Sequence, residues 1–208
     1  MIENVPKVKH PEINHTTLRI LGLYRSDYRL SLHQREIARK IRVSTNTSHL
    51  QLKRLERMRV LLMASKGRHT EYSLNLGNLV TRYYMLLAET FASITFLEEN
   101  FLIKKVISEL NEQLTGTAIL FGSFAKGQAR EVSDIDLLTL SDREIDPRAV
   151  AAVENLIGRA INVKSTTAAH FVEGLQGGAP FIREVVEGHV VLKGIEAFCD
   201  LLWEYQAR

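Results

Sequence analysis

Two aspartates stand two residues apart at Asp134 and Asp136, inside the run SDIDLL, and a Gly-Ser pair, Gly122-Ser123, precedes them at the end of the apolar run TAILF. Side chains two apart on a strand point to the same face. Paired carboxylates at such a spacing repel unless a proton or cation lies between them. Magnesium suits the place, since it prefers oxygen ligands and is often held by one or two carboxylates together with substrate phosphates. A glycine at 122 lets backbone approach a ligand closely. A helical turn opened by Ser123 would offer free amides to an anion. One wall for phosphate facing another for metal is the layout of phosphoryl or nucleotidyl transfer, in which positioning and charge neutralisation do most of the catalysis.

The elements that must hold these residues lie in the second half of the chain. A helix over about 98–113 precedes the strand 117–121. The strand 134–140 follows the Gly-Ser loop, then a helix over 147–160, a strand over 160–165 and a helix over 181–188. HVVL, at 189–192, reads as a short strand and IEAFCDLLWEY as a closing helix. Strands alternating with helices imply an α/β or α+β architecture. Alternation along 160–165 sets Asn162 and Lys164 on one face, opposite Ile161 and Val163.

Gly122-Ser123, Gly127 and Ser133-Asp134-Ile135-Asp136-Leu137 together resemble the signature of the DNA polymerase beta-type nucleotidyltransferase superfamily, and most closely its minimal bacterial and archaeal group. The similarity runs from about 98 to 194 and takes in EVVEGHVVLKG near its end. It implies that Gly122 and Ser123, with Lys126 and Asn162, contact the nucleotide, and that Asp134 and Asp136 are catalytic and carry Mg²⁺ or Mn²⁺, with an NTP as substrate or ligand. The family's third carboxylate corresponds here to Asn162, which has no charge and cannot accept a proton as a base does. General-base help is worth about 10²–10⁴ in rate. Glu131 or Glu173 could replace it in space, and Lys164 could meet phosphate or simply face solvent.

The first half has a different character. Between Arg35 and His69 ten Lys and Arg side chains face only Glu36 and Glu56, a balance of +8, so the rest of the chain carries −5 of the total of +3. An apolar pattern over 16–25 is followed by Ser31-Leu-His-Gln34, which predicts a capping box opening a helix. Ser44 predicts the N-cap of another over about 45–58. Val60–Ala64 and the alternating Tyr72, Leu74 and Leu76 flank a Lys66-Gly67 turn. That order resembles the prokaryotic winged helix-turn-helix over roughly residues 15–76. The resemblance implies double-stranded DNA as partner, with Thr45, Asn46, Thr47, His49 and Gln51 at base edges. Lys53, Arg54, Lys66, Arg68 and His69 would then meet bases or backbone, an affinity that falls with salt.

Residues 79–97 are apolar nearly all round and need cover on several sides. A second copy of the chain, giving a homodimer, and a clamp between the two halves are both open. The single cysteine, Cys199, excludes an internal disulfide and predicts a buried thiol. The histidines at 10, 15, 33, 170 and 189 show no metal-ligand spacing and predict exposed or packing roles. No run approaches the ~20 apolar residues of a membrane helix, and the start lacks the apolar run of a secretory signal, so a cytoplasmic location is expected.

The expected fold is α+β. A winged helix-turn-helix occupies 1–77, a linking and possible dimerisation helix 78–97, and a nucleotidyltransferase-type mixed sheet flanked by helices 98–208. Two functions fit. The protein binds nucleic acid and transfers NMP to a hydroxyl of unknown identity, a protein acceptor included. Alternatively it is a DNA-binding transcriptional regulator whose degenerate transferase domain only senses nucleotide.

Overall fold

The computed structural model describes residues 13–66 and 69–206. The N-terminal unit is built from α1 (His15–Gly22), β1 (Ser31–His33), α2 (Gln34–Lys40), α3 (Thr45–Arg57), β2 (Leu61–Lys66) and β3 (His69–Leu74). Its strands form an antiparallel sheet in the order β1-β3-β2. Asn14 caps α1 by accepting from the Thr17 amide at 2.9 Å, and Ser44 caps α3 by accepting from the Thr47 amide at 3.1 Å, as its position before the apolar pattern predicts. Ile20, Leu21, Ile37, Leu52, Leu55 and Tyr72 close the core between helices and sheet.

The capping box expected at Ser31 does not form. Ser31 is drawn into β1 opposite Ser73, and its hydroxyl donates to Glu71 at 3.0 Å. The helix starts at Gln34, behind His33. Pairing with β3 takes up the backbone of 31–33, so the helix start moves to Gln34, where the N-cap His33 makes no side-chain cap hydrogen bond.

The C-terminal unit comprises α5 (Phe101–Leu110), β4 (Thr117–Phe121), α6 (Gly122–Ala125), β5 (Ile135–Leu140), α7 (Pro147–Ile157), β6 (Ile161–Thr166), α8 (Ala168–Gln176), α9 (Pro180–Glu187), β7 (Val190–Lys193) and α10 (Ile195–Gln206). The sheet order is β6-β5-β4-β7. β5 and β6 run parallel while β4 pairs antiparallel with both β5 and β7, so the sheet is mixed. Alternation sorts the strand residues. Ala118, Leu120, Ile135 and Leu137 share one core with Ile103, Val106 and Val153 of α5 and α7. Ile119, Phe121, Leu138 and Leu140 face Phe171, Val185 and Phe198 of α8, α9 and α10. The segment 168–176, read from sequence as no particular element, is the helix α8, capped by Thr167, whose hydroxyl accepts from the His170 amide at 3.2 Å.

Between the units runs α4 (Leu79–Glu99). It packs on α1 on one side and on α10 and β7 on the other. Tyr84, Met85 and Ala88 belong to the same continuous core as Ile20 and Phe198. The end of α10 ties back to the N-terminal unit: the Gln206 side chain accepts from the Tyr28 amide, and Arg29 Nε donates to the Gln206 carbonyl at 2.8 Å. Arg82 of α4 pairs with Asp200 of α10. The opposite face of α4 stays open, with Leu79, Val80, Tyr83, Leu87 and Ile94 all exposed. Among the described residues no helix is long and apolar enough to cross a membrane. Cys199 is buried, and burial pushes its thiol up to about 12, which makes it an inert part of the core.

Candidate functional site

The site is assembled at one end of the mixed sheet by strand register. β4 ends at Phe121, whose partner across the antiparallel ladder is Asp136. On the other side of β5, Asp136 pairs with Asn162 in the parallel ladder. Asp134 lies just before β5 and is exposed, while Asp136 is half-buried. The two carboxylates converge on one group: Asn162 Nδ2 donates to Asp136 Oδ1 at 3.2 Å and reaches Asp134 Oδ2 at 3.4 Å. Among the described residues no Lys, Arg or His forms a salt bridge with either aspartate. The pair therefore has an uncharged amide, and no cation among the described residues, as its neighbour.

The chain turns sharply at Gly122 to enter α6. Gly122 has φ +70°, and a Cβ there would stand 2.4 Å from Asp136 Oδ2. Only glycine allows both the left-handed backbone and this approach. Gly122→Ala is expected to cost about 1–2 kcal/mol in backbone strain and to displace the Asp136 carboxylate. Thermal melting should read the strain as a fall of roughly 2–8 °C in Tm.

The loop from Gly127 to Asp134 is fixed by contacts that the sequence did not reveal. Arg159, at the exit of α7, donates through Nη1 to the carbonyls of Arg130 and Ser133, both at 3.0 Å. Its guanidinium lies over the Phe124 ring, 5.4 Å from the centroid. The Gln128 amide donates to the Ser123 carbonyl at 2.8 Å, and the Arg130 amide to Ser133 Oγ at 2.8 Å. Arg159 thus fastens the strand approach that carries Asp134 to the helix turn that follows Ser123.

The remaining candidates divide. Lys164 lies two residues beyond Asn162, exposed, with its ammonium 4.2 Å from the centre of the Phe181 ring, which itself meets Phe121 edge-on. Phe181 was not singled out in sequence, because α9 is needed to bring it there. Lys126 is turned to Glu184 of α9, at 3.4 Å. Glu131 and Glu173 are exposed, and neither completes a triad. Among the described residues no group of three or more His, Cys, Asp or Glu could hold a metal ion. The ligand set at hand is therefore the two carboxylates, with the Asn162 NH2 turned to them. It suits an oxygen-loving dication whose other ligands come from phosphate and water, and it lacks the softer ligands a zinc site would need.

In the N-terminal unit Thr45, Asn46 and Thr47 form the exposed first turn of α3. His49 Nδ1 is 3.3 Å from Gln34 Oε1, which fastens α3 to α2. Gln51 faces inward: its Oε1 accepts from Asn14 Nδ2 and Thr17 Oγ1, both at 3.2 Å, so it joins α1 to α3 and does not lie on the exposed face. Lys53 pairs with Glu56 at 3.3 Å. Arg54 lies half-buried in the last turn of α3. Arg68 lies outside the described residues, as do the side chains of Lys66 and His69.

A buried charge cluster in α4 is a feature the sequence reading does not single out. Glu89, in the middle of α4, accepts from Arg25 Nε at 2.8 Å and Nη2 at 2.5 Å, and its Oε2 is 3.2 Å from His189 Nε2. Arg25 also donates to the His189 carbonyl at 3.1 Å. Burial alone would raise the Glu89 pKa, but His189 and Arg25 outweigh it and hold the carboxyl down at about 2. The signal was present in sequence as a lone acid inside LLAETF, a position that an apolar helix tolerates only with a partner.

Residues 103–195, just under half of the chain, match the family model described as polymerase beta, nucleotidyltransferase. No curated protein and no solved structure matches the chain.

Proposed function

We propose that the C-terminal unit is a nucleotidyltransferase that moves an NMP group from an NTP to a hydroxyl acceptor, with Asp134 and Asp136 holding Mg²⁺ or Mn²⁺. The observation that carries this reading is the meeting of the Asp pair with the Gly122 turn: Asp136 stands against Gly122, a left-handed glycine whose bare backbone can approach a phosphate closely, and Asn162 Nδ2 reaches both carboxylates, which pair with no cation among the described residues. Domains of the matched family generally use a divalent metal and an NTP. When bound, the metal would neutralise phosphate charge and polarise the α-phosphate. Gly122 and Ser123 then hold the triphosphate through backbone amides. Asn162 keeps the two carboxylates at a common distance, and turned end for end its amide would offer a carbonyl oxygen instead. Lys164, on the same strand face, is the nearest cation along β6 for a phosphate beyond the pair.

The test is incubation with α-labelled ATP, CTP, GTP and UTP and Mg²⁺ or Mn²⁺, followed by a search for label on protein and added nucleic acid. A second reading, a DNA-binding regulator that senses nucleotide without turnover, is favoured by Asn162, which supplies no base. It would show nucleotide binding without label transfer.

For the N-terminal unit we propose a winged helix-turn-helix that binds double-stranded DNA in the cytoplasm. The helix-strand-helix-helix-hairpin order, the exposed turn Thr45–Thr47 and the +8 segment support it. Replacing Lys53 and Arg54 together by Ala is expected to weaken DNA binding about tenfold and to flatten its dependence on salt. Unchanged affinity, insensitive to salt, would contradict the assignment. We also propose a homodimer through the open face of α4, where Val80, Tyr83, Leu87 and Ile94 follow heptad-like steps. Leu87→Glu should convert a dimer to a monomer in light scattering.

A further inference from the structure

A cleft of about 570 Å³ opens between α1, the end of α2 and the middle of α4. Ala125, His189 and Val190 of the C-terminal unit line its other wall. Asp134, Asp136 and Asn162 are not part of it, so it is separate from the proposed transferase site. Its volume lies within the range of about 300–1,000 Å³ typical of small-molecule sites, and such sites favour junctions between structural units.

The floor is apolar. Phe91, Ala92 and Phe96 of α4 present it, and the His15 ring meets Phe91 edge-on at 5.0 Å. The rim is basic: Arg19, Arg25 and Lys40 face the cleft against one carboxylate, Glu99. Two of these cations are engaged. Arg25 is locked onto Glu89, and Lys40 is 3.3 Å from Glu36 on its own helix. Arg19 is half-buried and has no hydrogen-bond or ion-pair partner among the described residues. A guanidinium partly withdrawn from water, with five donors and no acceptor, is stabilised by any anion that reaches it. A polyanion would gain little from an apolar floor, and a neutral apolar ligand would leave Arg19 as it is.

We propose that this cleft binds a small organic anion, with its apolar body on Phe91 and Phe96 and its acidic group on Arg19 and Lys40. The walls belong to both units, and Ala125 lies two residues after Ser123 in the turn that begins the transferase site. A ligand in the cleft therefore bridges the N-terminal unit to the element that would cup the nucleotide. Binding is a property of the cleft alone and does not depend on transfer.

The test uses the full chain and an aromatic sulfonate, 8-anilinonaphthalene-1-sulfonate, with the uncharged N-phenyl-1-naphthylamine beside it. The expected result is saturable one-to-one binding of the sulfonate, tighter than the neutral dye. Arg19→Glu should weaken it about tenfold or more, as loss of a charge-assisted hydrogen bond does. Ala92→Trp, which fills the floor, should weaken both dyes. Leu156→Glu, at an exposed position of α7 away from the cleft, should leave both unchanged. Arg19→Gln serves if the Glu variant melts early. Non-saturable binding overturns the proposal, as does binding that survives Arg19→Gln and Ala92→Trp. Equal affinity for the two dyes overturns the anion preference.

Discussion

Asp136→Asn is expected to lower nucleotidyl transfer by at least about 10²–10³-fold, in line with the loss of a group that stabilises transition-state charge, and to leave the protein as stable as before or slightly more so. The two halves of this expectation have one cause. Asp136 takes part in the β4–β5 and β5–β6 ladders through its backbone, which asparagine preserves. Its carboxylate forms no salt bridge among the described residues and stands beside a second carboxylate, both within reach of a single Asn162 amide. Neutralising one acid relieves repulsion in the folded state and removes half of the charge that would hold a metal. A structural acid would behave in the opposite way, with stability falling while function changed little. Thermal melting beside α-label transfer reads both quantities on one sample.

Glu89→Ala is expected to destabilise the fold by about 3–5 kcal/mol, the cost of leaving buried charges without their partner. For a chain of this size that corresponds to roughly 10 °C in Tm. Glu89 is buried and receives both Arg25 nitrogens and His189. Its removal would orphan a guanidinium at the point where α1, α4 and the approach to β7 meet. The same group gives a pH signature. Its folded pKa, about 2, lies below the ordinary value of 4.5. The stabilisation it contributes is therefore fully present above about pH 4.5 and is lost as pH falls from there through about 2, up to about 3 kcal/mol in all. Glu89→Gln removes the titration, so its stability should vary less with pH across that window than that of the parent. Urea melts at pH 5, 4, 3 and 2 compare the two slopes.

Much of the C-terminal unit was legible in sequence because its signals are local. TAILF is uniformly apolar and became β4 over the same five residues, 117–121. The Asp-x-Asp spacing places both acids on one face whichever strand lies beside them, and alternation put Asn162 with them. What sequence could not show depends on long-range register. Arg159 reaches the 130–133 carbonyls only because the α7–β6 crossover returns it to the start of β5. Phe181 needs α9 folded back over Lys164. Gln51 shared the polar composition of the exposed turn, yet its position in α3 turns it onto Asn14 and Thr17. Ser31 satisfied a capping pattern that strand pairing overrode, since the ladder to β3 holds 31–33 extended and moves the N-cap to His33. Glu89 was legible in principle, but its partners are 64 and 100 residues away.

The proposal is that Asp134 and Asp136 hold a divalent metal against a triphosphate at the Gly122 turn. It is tested most directly by electron paramagnetic resonance of Mn²⁺ titrated with protein, with and without a non-hydrolysable NTP analogue. With the Mn²⁺–analogue complex formed beforehand, its signal is expected to be lost or reshaped on binding the protein, and Asp134→Ala and Asp136→Asn are both expected to leave it as it is without protein. A signal unaffected by the parent protein, or one lost equally with both variants, would contradict it.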